Sequence, residues 1–142
     1  MELTQLIPFV IKNWYLFVAL VLVLAALLWP LVIQQLHRVR MLAPAQVVLS
    51  INRDNAVVVD VRDPKEFGAG HVVNALNLPL NDLPQRLSEL NKYKQRPLVL
   101  NCRDGARAAK GAVLLRKQGF DNVSVLAGGL NAWERAQLPV EK

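Results

Sequence analysis

"PLVLNCRDGARAAKGAVLLRKQGF", residues 97–120, holds the only cysteine of the chain, Cys102, at a seam between two patterns. The residues before it, 97–101, form a short apolar run opened by Pro97, which reads as a buried strand. The residues after it are rich in Ala and Leu, end in cations and stop at Gly119. That is the signature of a helix and its C-terminal cap. A strand that runs through a tight loop into a helix is one half of an alternating α/β unit.

The neighbouring segments repeat the alternation. "AVVVDV" (56–61) and "VSVL" (123–126) read as buried strands, and "ALNLP" (75–79) as a weaker one. "APAQVVLSIN" (43–52) has a proline near its start and reads as a helix. "LNDLPQRLSELNKY" (80–93) sets Leu80, Leu83, Leu87 and Leu90 three or four apart, on one helical face. Alternation of this kind predicts a mostly parallel sheet with helices on both faces.

In such sheets ligands bind beyond the carboxyl ends of the strands, which is where Cys102 falls. A tight loop entering a helix can aim several backbone N–H groups inward. The helix N-terminus adds partial positive charge, and Arg103 and Arg107 add full charges. All three favour thiolate, the nucleophilic form. Gly105 supplies a backbone angle closed to other residues. The competing reading is a small buried hydrophobe, with the arginines as a solvated helix start. Asn101, Arg103, Asp104 and Gly105 make a poor burial environment, which favours a reactive thiol.

The 142 residues are 53% hydrophobic and 20% charged, which excludes a disordered or collagen-like chain. One cysteine cannot form an intramolecular disulfide. His37 and His71 do not lie at ligand spacing from it, so no structural metal is expected. The lone thiol fits a reducing compartment. The net charge of +6 points to an anionic membrane surface or a small anionic substrate. There is no basic run and no interleaving of aromatics, so nucleic acid is not an expected partner.

Between Asn13 and Leu36 no side chain is charged. Within that stretch "WYLFVALVLVLAALLWPLVI" (14–33) would span about 30 Å as a helix, the thickness of a bilayer's hydrocarbon. Pro30 falls in its last turn, and Trp14, Tyr15 and Trp29 suit the two interfaces. A buried core helix would need a larger protein around it. A cleavable signal with "APA" (43–45) as its cleavage site fits less well, because the run is too long and "HRVR" intervenes. Arg38 and Arg40 after the span, against Lys12 before it, favour a cytoplasmic C-terminal part. Residues 1–11 are apolar but short and broken by Pro8. The expected organisation is an N-terminal segment with one membrane helix (1–36), a short tether (37–42) and an α/β domain (43–142). Residues 40–142 carry 15 Lys and Arg against 10 Asp and Glu, so the basic balance lies there too.

"DVRDPKEFGAGHVVNALNLP" (60–79), "CRDGAR" (102–107) and "GGLNAW" (128–133), in this order and spacing, resemble the rhodanese homology domain across nearly all of residues 40–142. With its N-terminal span the chain resembles the membrane-anchored single-domain rhodanese proteins of bacteria. The resemblance implies a five-stranded parallel sheet flanked by helices. It implies a sulfurtransferase in which Cys102 attacks the outer sulfur of a donor, such as thiosulfate or a persulfide, and carries that sulfur as a persulfide to a thiol acceptor. No metal or organic cofactor is implied.

Carried over by residue, Cys102 matches the nucleophile, and Arg103 and Arg107 match positions that hold a donor anion. Asp104, Gly105 and Ala106 supply loop backbone. Asp60 and Arg62 match a motif that braces the site, either as a structural ion pair or in direct contact with substrate. His71 matches a structural position, Gly128 and Gly129 let the last turn pass close to the loop, and Trp133 belongs to the core. Asn74 stands where the family usually has glycine, and asparagine tolerates the left-handed conformation. Related phosphatases and arsenate reductases place five residues between Cys and Arg. Four lie between Cys102 and Arg107, which fits sulfur transfer. The expected partners are a small anionic sulfur donor, a thiol acceptor, membrane lipid and a membrane protein. The expected place is the inner membrane, single-pass, with the domain in the cytoplasm. The alternative function is a rhodanese-fold membrane adaptor that does not need Cys102 chemistry.

Overall fold

The structure, a computed structural model, describes residues 3–36 and 38–142. The chain divides into two compact units, Met1–Arg38 and Val39–Lys142.

The first unit contains helices α1 (Leu3–Lys12) and α2 (Trp14–Leu36). Pro8 lies inside α1 and does not end it, contrary to the expectation of a break there. Proline removes one amide donor, and the helix continues around it. The chain breaks instead at Asn13, whose side-chain amide donates to the Phe9 carbonyl at 2.8 Å. Within α2, Trp14–Ile33 is a 20-residue run of mean hydropathy 3.0, none of it buried, and long enough to cross a membrane. Its apolar side chains are exposed on every side, so it is not a core helix. His37, expected to flank the span, lies outside the described residues.

The second unit is built on a five-stranded sheet in the order β1-β6-β5-β2-β4. Its strands are β1 (Arg40–Leu42), β2 (Val57–Asp60), β4 (Leu76–Asn77), β5 (Leu98–Asn101) and β6 (Val123–Leu126), and every pairing is parallel. Parallel strands are covered on both faces, which is why β2, β5 and β6 are buried at every position. One face of the sheet packs Val57, Val59, Leu98, Leu100 and Val125 against α5 (Ala106–Lys117) and the leucine segment 80–93. The other packs Val58, Val99 and Leu126 against Val47 of α3 (Pro44–Asp54) and Leu130 and Trp133 of α6 (Gly129–Arg135). Trp133 is core, as expected, and its indole N–H donates to the Pro139 carbonyl. Gly111 lets α5 sit close to the sheet, since a Cβ there would stand 2.9 Å from Leu100 Cδ2.

Two expectations are corrected. Residues 40–42, assigned to the tether, are edge strand β1, paired through Met41 with Val125 of β6. Segment 80–93 is not an α-helix: turns occupy its first part, and a 3-10 helix runs over Leu87–Tyr93. Pro84 disfavours a helical conformation in the residue before it, so the leucines reach the core through turns. Beside the main sheet, a two-stranded antiparallel sheet pairs β3 (His71–Val72) with β7 (Val140–Glu141), far apart in sequence. The short helix α4 (Pro64–Ala69) leads into β3.

Candidate active site

The strand β5 ends at Asn101, and the chain turns at once through residues 102–105 into α5. Gly105, at φ 102°, makes that turn, and its amide donates to Cys102 Sγ at 3.0 Å. The Ala108 amide, in the first turn of α5, lies 3.4 Å from the same sulfur. Two backbone N–H groups and a helix N-terminus therefore converge on Sγ. Cys102 is 0% exposed, against the expectation of a poor burial environment. The loop folds around the sulfur and supplies amide donors in place of water, so polar neighbours in sequence do not mean an open site.

The loop is braced from behind. Leu130 N–H donates to the Cys102 carbonyl at 2.8 Å, and Asn131 N–H to the Arg103 carbonyl at 3.1 Å. Both donors belong to the first turn of α6, where amides have no partner within the helix. The approach requires Gly128 and Gly129, at φ 73° and 59°. A Cβ on Gly129 would collide with the Cys102 carbonyl oxygen and lie 2.7 Å from Arg103 C and O.

Beside the loop, Asp60 and Arg62 are both 0% exposed. Arg62 Nη2 donates to Asp60 Oδ2 at 2.8 Å and to the Gly70 carbonyl at 2.7 Å, and Nε to both Asp60 oxygens. Asn77 closes the corner through its side-chain amide, which donates to the Asp60 and Arg62 carbonyls. The ion pair ties the end of β2 to the Gly70 carbonyl, and Arg62 Nη1 is buried with no hydrogen-bond partner among the described residues. The buried Asn101 amide, next to Cys102, has no hydrogen-bond partner among the described residues.

The two loop arginines are not free. Arg107 Nη1 and Nη2 donate to Glu66 Oε2 and Oε1 of α4 at 3.0 and 3.2 Å. Arg103 Nη1 lies 4.0 Å from Glu134 Oε1 of α6. Arg107 holds the Glu66 carboxyl below the usual carboxylate range, and Glu66 in turn raises Arg107. Asp104 Oδ1 accepts the Ala106 amide at 3.0 Å and lies 3.8 Å from Cys102 Sγ. The Ala106 amide is the main cause of a lowered Asp104 carboxyl. So the sequence-derived loop residues 102–107 do come together with Asp60 and Arg62 nearby. Glu66 was not singled out by sequence reasoning. An acid three residues after Asp63, with Pro64 opening the helix, is the pattern of a helix N-terminus, and Glu66 does accept the Asp63 amide at 3.2 Å. Nothing in that pattern points to Arg107, 41 residues away.

His71 stacks on Phe67 with ring centroids 3.7 Å apart, and its Nε2 faces Glu141 at 3.3 Å. Asn74 adopts φ 63°, so the turn expected to survive without glycine does form. A groove of about 810 Å³ opens at the opposite end of the sheet, lined in part by Arg40, Arg53 and Asp121.

A parallel five-stranded sheet with helices on both faces, and a cysteine loop wrapped on a helix N-terminus at its carboxyl edge, define a rhodanese-like domain. The chain belongs to that family: the model of the Rhodanese-like domain matches residues 43–136. A protein of Allochromatium vinosum named "Sulfurtransferase" is 39% identical over 87 residues, covering 61% of this chain and 79% of that one. The uncharacterized protein YibN of Escherichia coli is 29% identical over 137 residues, 96% of each chain, so that likeness runs into the N-terminal helices. Among solved structures, a rhodanese-related protein of Thermoplasma volcanium superposes with a TM-score of 0.63 at 27% identity, covering 72% of this chain and 97% of that one. A sulfurtransferase-family role follows for this chain.

Proposed function

We propose that the protein is a membrane-tethered sulfurtransferase that carries sulfane sulfur as a persulfide on Cys102. The observation that carries this reading is the convergence of the Gly105 and Ala108 amides on Sγ, at 3.0 and 3.4 Å, in a chain of this family. Cys102 attacks the outer sulfur of a donor, thiosulfate or a thiol persulfide, and the donor's sulfur–sulfur bond breaks. An acceptor thiol then takes the sulfur and returns the cysteine. The loop amides stabilise negative charge on sulfur through both steps. Arg103 and Arg107 border the entrance, while Asp60 and Arg62 hold the end of β2.

Trp14–Ile33 serves as the tether, with the second unit on the cytoplasmic side, where the flanking Arg38 and Arg40 favour it. Cleavage at "APA" (43–45) would sever β1 from the sheet it belongs to, and this supports a retained helix. The complete burial of Cys102 is the one observation that favours the adaptor reading. The experiment that separates them is intact mass of the full-length chain in detergent after incubation with thiosulfate or a small persulfide. A gain of one sulfur atom, absent in Cys102→Ser, is expected. No gain from either donor would sink the enzyme reading, and partner capture that Cys102→Ser leaves untouched would support the adaptor.

A further inference from the structure

The thiol loop and its surroundings carry two cations, Arg103 and Arg107, and three carboxylates, Glu66, Asp104 and Glu134. Arg107, expected to hold an anionic donor, has both terminal nitrogens engaged by the two oxygens of Glu66. Glu66 is itself held from a second side by the Asp63 amide, and its side chain is about a third exposed, at 35%. Such a bidentate pair fixes geometry as well as charge. Arg103 looks toward Glu134 at 4.0 Å. The Ala106 amide, in the first turn of α5, is occupied by Asp104, which stands 3.8 Å from Sγ. An anion that came to this loop for charge would find Arg107 in a bidentate pair, Arg103 facing Glu134, and Asp104 within the loop itself.

Building on the sulfur-carrier reading, we infer that the loop is set for a sulfur donor of low charge, a thiol persulfide, and that Glu66 is the residue that discriminates against the thiosulfate dianion. The charges of the two donors differ in the step itself. With a persulfide R–S–SH, the Cys102 thiolate attacks the outer sulfur and the bond between the two donor sulfurs breaks. The electron pair leaves as R–S⁻, and the proton stays on the new Cys102–S–SH. With thiosulfate the same attack expels sulfite, a dianion. Thiosulfate thus brings two charges and its leaving group keeps two. Both need a cation at the mouth, and each of the two arginines there faces a carboxylate. Like charges at close range cost free energy, and the interaction is only partly screened in a half-buried site. The persulfide route brings no net charge in R–S–SH and needs no added cation for its donor; the Gly105 and Ala108 amides hold the attacking Cys102 thiolate, and the displaced charge leaves on R–S⁻.

Glu66→Gln keeps an acceptor for the Asp63 amide, so the start of α4 is preserved while the negative charge is removed. Asp104→Asn does the same inside the loop and carries the test should Glu66→Gln fold poorly. The full-length chain in detergent is mixed with thiosulfate or with the persulfide of 2-mercaptoethanol, whose organic part is uncharged. Loading of Cys102 is followed by quenched intact mass. Intrinsic reactivity of the two donors cancels in the ratio of their loading rate constants, compared between wild type and variant. Glu66→Gln is expected to raise the thiosulfate-to-persulfide ratio roughly three- to tenfold, and Asp104→Asn to raise it in the same direction. A purely structural role of Glu66 would move both rates together and leave the ratio unchanged. A ratio that stays at the wild-type value in both variants, or falls, overturns the inference while leaving the sulfur carrier standing. A wild type loaded by neither donor overturns both.

Discussion

Replacing Gly129 with alanine tests whether α6 holds the thiol loop. The residue sits at φ 59°, and a Cβ there would run into the Cys102 carbonyl oxygen and stand 2.7 Å from two backbone atoms of Arg103. Backbone atoms cannot rotate aside as a flexible side chain can. An alanine held in the left-handed region costs about 1–2 kcal/mol. Forcing the loop back adds about 1–3 kcal/mol of overpacking. Retreat also lengthens the Leu130-to-Cys102 and Asn131-to-Arg103 hydrogen bonds, now 2.8 and 3.1 Å. A loss of about 3 kcal/mol lowers the melting temperature of a domain this size by roughly 10–20 °C. The measurement is thermal unfolding of the full-length chain by near-ultraviolet circular dichroism, with sulfur loading of Cys102 in parallel. Gly68→Ala is the internal control, because a Cβ there meets nothing within 4 Å and the position lies inside α4. It is expected to stabilise by about 0.5–1 kcal/mol. A Gly129→Ala protein that melts with the wild type and loads sulfur at the same rate would refute the brace.

Removing Arg62 as Arg62→Met leaves the buried Asp60 carboxylate without its guanidinium, and urea unfolding should show a loss of about 3–5 kcal/mol. Gly111→Ala places a methyl 2.9 Å from Leu100 Cδ2, and overpacking of about 1–3 kcal/mol should outweigh the better helix propensity of alanine in the same titration. Arg107 depresses the Glu66 carboxyl, so the pair's contribution is complete above the ordinary glutamate value of about 4.3 and is lost as pH falls through the lower folded value. Because both groups are about a third exposed, the stability gap between wild type and Glu66→Gln should be at most about 1 kcal/mol at neutral pH and should close in acid, as read from urea midpoints. The tether is checked by alkaline carbonate extraction: the full-length chain should stay with the membrane pellet, and release into the supernatant would contradict a spanning α2.

The parts of the fold that local pattern encodes were legible. The β-branched run 56–61 is β2, the Ala- and Leu-rich run ending at Gly119 is α5, and the cysteine falls between β5 and α5. Each depends on residues adjacent in the chain. What was hidden depends on distant partners. Strand β1 is three residues long and carries no alternation; it is a strand because β6, some eighty residues on, offers an open edge. The β3–β7 pair likewise joins positions at opposite ends of the domain. The leucines at 80–93 announced their burial through their spacing, but spacing alone could not exclude turns around Pro84 that deliver the same side chains to the core. At the site, the loop residues could be named because they are contiguous. The engagement of Arg107 by Glu66 could not, since an acid at the start of α4 satisfies the helix equally well without it.

The brace and the cradle have a common origin in the peptide group. In a trans peptide the carbonyl of one residue and the N–H of the next point in opposite directions. The carbonyls of Cys102 and Arg103 are drawn toward α6 by Leu130 and Asn131. The N–H groups of Arg103 and Asp104 therefore point away from α6. Gly105 then takes φ 102°, and its amide and that of Ala108 meet the sulfur. The second helix orients the start of the loop, and the first helix supplies donors at its end. A loop this short has few torsions with which to compensate if either support moves. Sulfur loading should therefore be as sensitive to Gly129, which never faces the donor, as to the residues that line the mouth.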